Sequence, residues 1–490
     1  MSMSLKNYLT IIRLSKYFLF LIMFRHGFGQ EIPSKIDKKD LNVFIQTLSS
    51  SHFEGRGIDN EGQIKTQAFI ANRFKELQLE PFSPDGYLEK FALRQISRGE
   101  LFIRTQNNRM LQNLDRMIFE GEINHSEAIE RKVVFGGYGI EEELNRIDVE
   151  NCYVLIVIKK PGDETDLKKR LGKRNACGII VVYENDGNFD SMKGRVKDFY
   201  AQKNYSIAGR HSEITAIPTQ IVEQYNANPV NNAIIIPGTE VKNIIGLSKN
   251  KLISLANKRK INAVLPAVIN IHYERVEKTV ETANVIGLIR GESEQSIVIS
   301  AHYDHMGKEE NHFYPGADDN ASGVAALLEL AEEFAPYENL KYTMVFLATT
   351  AEEGGLLGSL YHTGHPDFEP EKIVCNVNID MISRCDNYHA DCSYLYCIGS
   401  NQSEMLDSLV RKADELFPQC TCDYSENNSG IFERTDGYYF KKKGIPSILF
   451  FAGFHDDYHK PTDTIDKINF DILESRIKLI CEVIKLIQKE

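Results

Sequence analysis

The sequence predicts an α/β fold, with a mixed, largely parallel central sheet flanked by helices and a small α/β or mainly β insert. Three observations predict it. From about residue 280 onward, short apolar runs alternate with helical stretches, which is the pattern of a parallel sheet covered by helices. Four of those runs lead into His, Asp or Glu at or just past their ends. Between about 120 and 250 lies a second group of β-branched runs, and 490 residues exceed the ~250–300 at which one core stops growing.

The elements follow in order. Lys6, Arg13 and Lys16 precede the apolar run Tyr17–Phe24, and Gly27-Phe28-Gly29 then offers a small-x-small cleavage site. This reads as a secretory signal peptide over 1–29, so a secreted or periplasmic protein is expected. A membrane anchor is the alternative, but a spanning helix needs ~20 apolar residues and this run is far shorter. Leu41, Phe44, Ile45 and Leu48, then Phe69, Ile70, Phe74 and Leu77, recur at helical spacing, with a break at Glu54-Gly55-Arg56-Gly57.

The insert, expected over 121–250, contains the runs Val133–Phe135, Tyr153–Ile158 and Gly178–Tyr183, with a basic helical stretch at Leu167–Leu171. Lys249–Lys260, rich in Lys and Asn, reads as the return linker. The main domain is then 37–120 with 262–490. Its strands are expected at Ser296–Ala301, Thr343–Ala348, Ile373–Ile379 and Ile445–Phe451. Gly323–Phe334 reads as an amphipathic helix with Val324, Leu327, Leu328, Ala331 and Phe334 on one side.

Composition narrows the function. The chain is 42% hydrophobic and 26% charged, ordinary for a folded protein, and its net charge of −12 argues against nucleic-acid binding. Nine cysteines show no zinc-finger pairing. Cys420 and Cys422 are too close in sequence for an unstrained bridge, while Cys375, Cys385, Cys392 and Cys397 are candidates for pairing.

The chemistry lies at the strand ends. Ser296–Ala301 runs into His302-Tyr303-Asp304-His305, and Thr343–Ala348 leads to Glu352-Glu353. Ile373–Ile379 ends on Asp380, Ile445–Phe451 is followed by His455-Asp456-Asp457-Tyr458-His459, and Asp318-Asp319-Asn320 precedes the helix. In open α/β sheets the carboxyl ends of strands form the ligand crevice, so separate strands deliver these side chains to one place. Two imidazoles with carboxylates and no thiolate suit zinc, though cobalt or manganese can substitute. Five such donors are more than one catalytic zinc needs. They suffice for two if one carboxylate bridges, and such pairs, ~3.5–4 Å apart, clamp a hydroxide for attack on a carbonyl.

These segments, with Gly316–Gly323 and Asn378–Met381, resemble in order the ligand motifs of the cocatalytic two-zinc exopeptidases. That family includes bacterial leucyl aminopeptidases, glutamate carboxypeptidases and the transferrin-receptor lineage. The resemblance covers residue 40 to the C-terminus, and Val154–Ile158 with Cys177–Tyr183 resembles the protease-associated domain often inserted in them. It implies two Zn²⁺ per chain, a peptide substrate, Asp319 rather than Asp318 as the bridge, and a cis peptide between Asp319 and Asn320. It further implies His302 and Asp380 at one metal, Glu353 and His459 at the other, and Glu352 as general base. Asp304 matches a carboxylate that fixes the His302 ring, and Tyr458 a tyrosine that hydrogen-bonds the oxyanion.

His305, His312 and His455 have no motif position and read as rim or surface residues. Asp463 reads as a turn builder, and Arg384 and Arg434 as substrate contacts or surface ion pairs. Gly437, in Arg434-Thr435-Asp436-Gly437, replaces a histidine common in the family loop, which affects pocket shape rather than ligation. An aminopeptidase is the expectation. The alternatives are a carboxypeptidase or dipeptidase, a glutaminyl cyclase-like transferase, and a receptor-like protein without catalysis.

Overall fold

The computed structural model describes residues 34–106, 108–112, 116–120, 127–160, 162–191, 203–208, 233–309, 312–427 and 429–490. The expected signal peptide lies outside them. Among the described residues no helix is long and apolar enough to cross a membrane. The chain divides into two compact units: residues up to Phe91 with Thr282–Glu490, and Ala92–Glu281.

In the second unit the three expected runs are neighbouring strands. Glu127–Phe135 pairs parallel with Cys152–Ile158, which pairs parallel with Gly178–Tyr183, and Ala233–Ile236 extends the parallel set. All residues of the two middle strands are buried, which explains their unbroken apolar character. The unit is wider than 121–250 because the long strands Leu88–Thr105 and Ala267–Ile289 carry the chain into and out of it. The expected linker is instead helical: Ser248 caps Lys249–Asn257, which buries Leu252, Leu255 and Ala256. Its apolar residues are few enough that the Lys and Asn between them hid the helical spacing.

In the first unit the strands lie in the order Thr421–Asp423, Tyr394–Ile398, Ser447–Phe451, Ile373–Asp380, Ser296–His302, Thr343–Thr349 and the end of Ala267–Ile289. The four central strands are mutually parallel, whereas Tyr394–Ile398 and Ala267–Ile289 pair antiparallel at their flanks. Register decides where the strands finish. His302 pairs with Thr349, Ser300 with Asn378 and Asp380 with Phe451. The last residues of all four central strands therefore form one row.

The helix before which Asp319 stands runs Ala321–Phe334 and packs on Lys38–Leu48 and Phe470–Ile487. It is buried all round, only Glu332 escaping, so the expected amphipathic stripe is a full cylinder. The acids this buries are paired: Glu333 accepts from the Lys35 amide and from Lys485 Nζ, and Glu329 from the Asp37 amide. Cys385 and Cys392 form a disulfide, with Cα atoms 5.2 Å apart, while Cys375 and Cys397 are free and buried.

Two buried guanidinium groups hold the loops around this sheet. Arg476, on the C-terminal helix, donates to the carbonyls of Tyr394, Ile382, Arg384 and Cys392. Arg56 is fully buried and donates to the carbonyls of Leu48, Tyr303, Pro315, Gly316 and Asp319 at 2.7–3.1 Å. Burial lowers its pKa to about 10, against the opposing pull of Asp319, Asp463, Asp304 and Glu353, so it stays charged at neutral pH.

Replacing Arg56 by Met leaves five carbonyls without their donor. Thermal or denaturant unfolding should show a loss of about 3–5 kcal/mol, the scale for breaking a buried charged network. Arg56→Lys should recover only part of it, because an ammonium has three donors against five. A melting curve unchanged by Arg56→Met would refute this account of the loops.

Candidate metal centre

Each site residue stands where a strand stops. His302 ends Ser296–His302 and Asp380 ends Ile373–Asp380, so their side chains emerge from adjacent strands with Nε2 3.3 Å from Oδ1. The other ring nitrogen, Nδ1, donates to the main-chain carbonyl of Asp304 at 3.1 Å. That bond fixes the tautomer and leaves the Nε2 lone pair facing Asp380 and Asp319. Asp304 thus reaches the His302 ring through its carbonyl. Its buried carboxylate does different work, accepting the amide N–H of Glu352 at 3.1 Å and of Glu353 at 3.2 Å.

Asp318 and Asp319 are adjacent but face different surroundings. Asp318 is satisfied: its carboxylate accepts from the Ser383 amide and hydroxyl and sits 3.1 Å from His455 Nε2. Asp319 is not. Among the described residues its buried Oδ2 has no hydrogen-bond partner, while Oδ1 lies 3.5 Å from His302 Nε2 and Oδ2 3.1 Å from His459 Nε2. The Asp463 carboxylate accepts both amide N–H groups of Asp318 and Asp319, at 3.0 and 3.1 Å, and so holds this turn. The Asp319–Asn320 peptide is cis. Asn320 caps the following helix through Gly323, donates to the Ile379 carbonyl and accepts from the Met381 amide, which ties the turn to the Asp380 strand. Gly323 is required here, since a Cβ would stand 2.6 Å from the Ile379 carbonyl oxygen.

Two donor clusters share Asp319. One is His302, Asp319 and Asp380; the other contains His305, Asp319 and Glu353, with ligand atoms in each within 4.8 Å of one another. His459 joins the second, its Nε2 3.1 Å from both Glu353 Oε2 and Asp319 Oδ2. His305 is a residue that sequence reasoning missed. It is buried with Nδ1 3.0 Å from Glu353 Oε1, not at a rim. His455 is likewise buried, against Asp318, whereas His312 is exposed beside Glu309. Arg384 pairs with Asp457 and Asp463, but Arg434 lines the pocket with its guanidinium over the Phe454 ring.

The electrostatics of the cluster are dominated by buried acids. Burial raises the pKa of Asp380 and pushes Glu352 well above the ordinary carboxylate range; other nearby carboxylates add to both, against His302. Burial also raises Glu353, but His459 and His305 outweigh it and hold it low. Burial lowers the pKa of His459, yet Glu353 and Asp319 overcome this and hold it at about 10. So many buried acids around imidazoles, with Asp319 Oδ2 and His459 Nε2 both lacking a hydrogen bond among the described residues, form a set that divalent cations would satisfy. Carboxylate and imidazole donors without thiolate fit zinc.

A pocket opens over the clusters, lined by His302, Asp319, Glu353, Asp380 and His459 themselves. Glu352 lines it without belonging to either cluster, and Tyr458 stacks on His459 with ring centroids 3.7 Å apart. Burial, then Asp319 and Glu353, keep the Tyr458 hydroxyl protonated, so it is a donor. Met381, Ile431, Phe451 and Phe454 supply an apolar wall.

Aminopeptidase YwaD of Bacillus subtilis is 24% identical over 309 residues, covering 61% of this chain and 62% of the relative. Uncharacterized protein YfbL of Escherichia coli is 30% identical over 203 residues, covering 36% and 61%. The chain thus spans about three-fifths of the length of these curated relatives. Among solved structures, the zinc aminopeptidase BSAP of Bacillus subtilis aligns over 93% of this chain and 95% of its own, with a TM-score of 0.54 and 17% identity. An aminopeptidase from Aneurinibacillus sp. strain AM-1 aligns over 92% and 93%, with a TM-score of 0.53 and 18% identity. These two share the fold. The stretch that carries every residue of both donor clusters matches the pattern of peptidase family M28, and residues 284–484 are therefore a peptidase family M28 domain.

Proposed function

We propose that this chain is an exported aminopeptidase that binds two zinc ions and hydrolyses the N-terminal peptide bond of peptides. The observation that carries it is Asp319, whose two oxygens face different donor clusters while Oδ2 has no hydrogen-bond donor among the described residues. His302 and Asp380 would hold one ion, Glu353 and His459 the other, and Asp319 both. Bound there, the ions would polarise the scissile carbonyl and acidify the attacking water.

The chain's own groups supply the rest. Glu352 stands in the pocket outside both clusters, free to take a proton from water and pass it to the leaving amine. The Tyr458 hydroxyl donates to the oxyanion as the carbonyl carbon becomes tetrahedral. Asp304, through the Glu352 and Glu353 amides, sets where the base and its neighbour stand. The apolar wall receives an uncharged side chain. The presence of Glu352 beside complete clusters weighs against a receptor-like protein without catalysis. Names of relatives favour aminopeptidase, while Arg434 in the pocket wall favours a carboxypeptidase or dipeptidase as the second reading. The Cys385–Cys392 disulfide supports export, since such bonds persist in oxidising compartments. We read the Ala92–Glu281 unit as the protease-associated insert.

Glu352→Gln should lower turnover by about 10²–10⁴-fold, the range for a general base, while elemental analysis still finds two zinc per chain. Full activity in that variant would remove Glu352 from the mechanism. Asp319→Asn should lose affinity for both ions, whereas Asp318→Asn, which disturbs only the Ser383 and His455 bonds, should keep both and lose stability. Equal zinc content in the two variants would overturn the bridging assignment. Peptides with a free amine should be cleaved and N-blocked ones spared; cleavage of N-blocked but not C-amidated peptides would select the carboxypeptidase reading instead.

A further inference from the structure

His305 lies inside the second donor cluster but outside the ligand set proposed above. Its Nδ1 is 3.0 Å from Glu353 Oε1 and 3.6 Å from Asp319 Oδ2, close enough either to share the cation or to donate a hydrogen bond. The far side of the ring distinguishes these roles. A ligating imidazole passes its second N–H to a carboxylate, carbonyl or water, as His302 does to the Asp304 carbonyl. His305 Nε2 is buried and has no hydrogen-bond partner among the described residues. A proton there would be an orphaned N–H, which folded proteins rarely tolerate; a bare lone pair is the milder outcome. The proton therefore belongs on Nδ1, where Glu353 accepts it, and a protonated nitrogen is no ligand.

We propose that His305 is a positioning residue, whose Nδ1–H holds Glu353 Oε1 so that Oε2, 3.1 Å from His459 Nε2, is the oxygen presented to the second cation. This rests on the two-cation reading. The His302 cluster makes no use of His305, so the two metal sites respond to it unequally.

The test is a stepwise zinc titration of apoprotein against a competing chelator, comparing wild type with His305→Leu and His305→Asn. Leucine fills the space without a donor, and the asparagine side-chain N–H can stand where Nδ1–H stood. The leucine variant should keep the first equivalent within about twofold and bind the second about 10–100-fold more weakly, the range for losing a partner of a ligand. Asparagine should restore most of the second. Unchanged affinity for the second equivalent in His305→Leu overturns the proposal. So does an asparagine variant as weak as leucine whose second-equivalent cobalt spectrum shows a changed coordination number, since that marks His305 as a ligand. A wild-type protein that takes only one equivalent sinks the two-cation reading itself. Should the leucine variant fail to fold, His305→Ala takes its place in the same comparison.

Discussion

The buried guanidinium of Arg56 is the interaction on which the site's geometry rests. Its five donors take the carbonyls of Leu48, Tyr303, Pro315, Gly316 and Asp319. Tyr303 follows the ligand His302, and Asp319 is the shared carboxylate itself. A side chain from the N-terminal segment thus fixes two loops that the sheet alone leaves free. The same charge stands among Asp319, Asp463, Asp304 and Glu353, so it also offsets part of the repulsion that crowding these acids creates. Arginine suits this role because a planar fork with fixed donor directions can serve several carbonyls at once, where an ammonium on a flexible stem cannot.

Much of this was legible in the sequence, and for a physical reason. A strand buried on both faces must be apolar along its length, so a polar residue at its end is conspicuous, and His302 and Asp380 stand in that position. Register then guarantees that such ends meet, because the parallel central strands finish in one row. Glu353 and His459, farther from their strands, needed the resemblance to be assigned. The preference for Asp319 over Asp318 came the same way, and its physical basis emerges only in three dimensions: Ser383 and His455, far along the chain, satisfy Asp318 and leave Asp319 open.

What stayed hidden shares a different character. Arg56, Asp463, His305 and His455 act through hydrogen bonds to main chain or to one another's side chains, across separations of many residues, and no local pattern marks them. Asp463 looked like a turn residue because it is one; that its carboxylate also holds the Asp318 and Asp319 amides depends on where the turn lands. Gly437 illustrates the converse. A side chain there would approach Phe432 at 3.2 Å and Asn376 at 3.4 Å, so the departure from the family loop accompanies close packing beneath the pocket rather than a missing ligand.

The two donor clusters are built with unequal stiffness. His302 and Asp380 are the last residues of paired strands, so the ladder that ends there sets their directions. Glu353 and His459 sit on loops, and the backbone is strained around them: Ala351 and His459 have φ of 55° and 54°. Sites on loops are less precise than sites on strands unless other bonds support them. Those bonds are present. Asp304 holds two consecutive amides at the glutamate pair, the Tyr458 ring stacks on His459, and His305 meets Glu353. The half of the site that the sheet does not stiffen is the half that these polar contacts support.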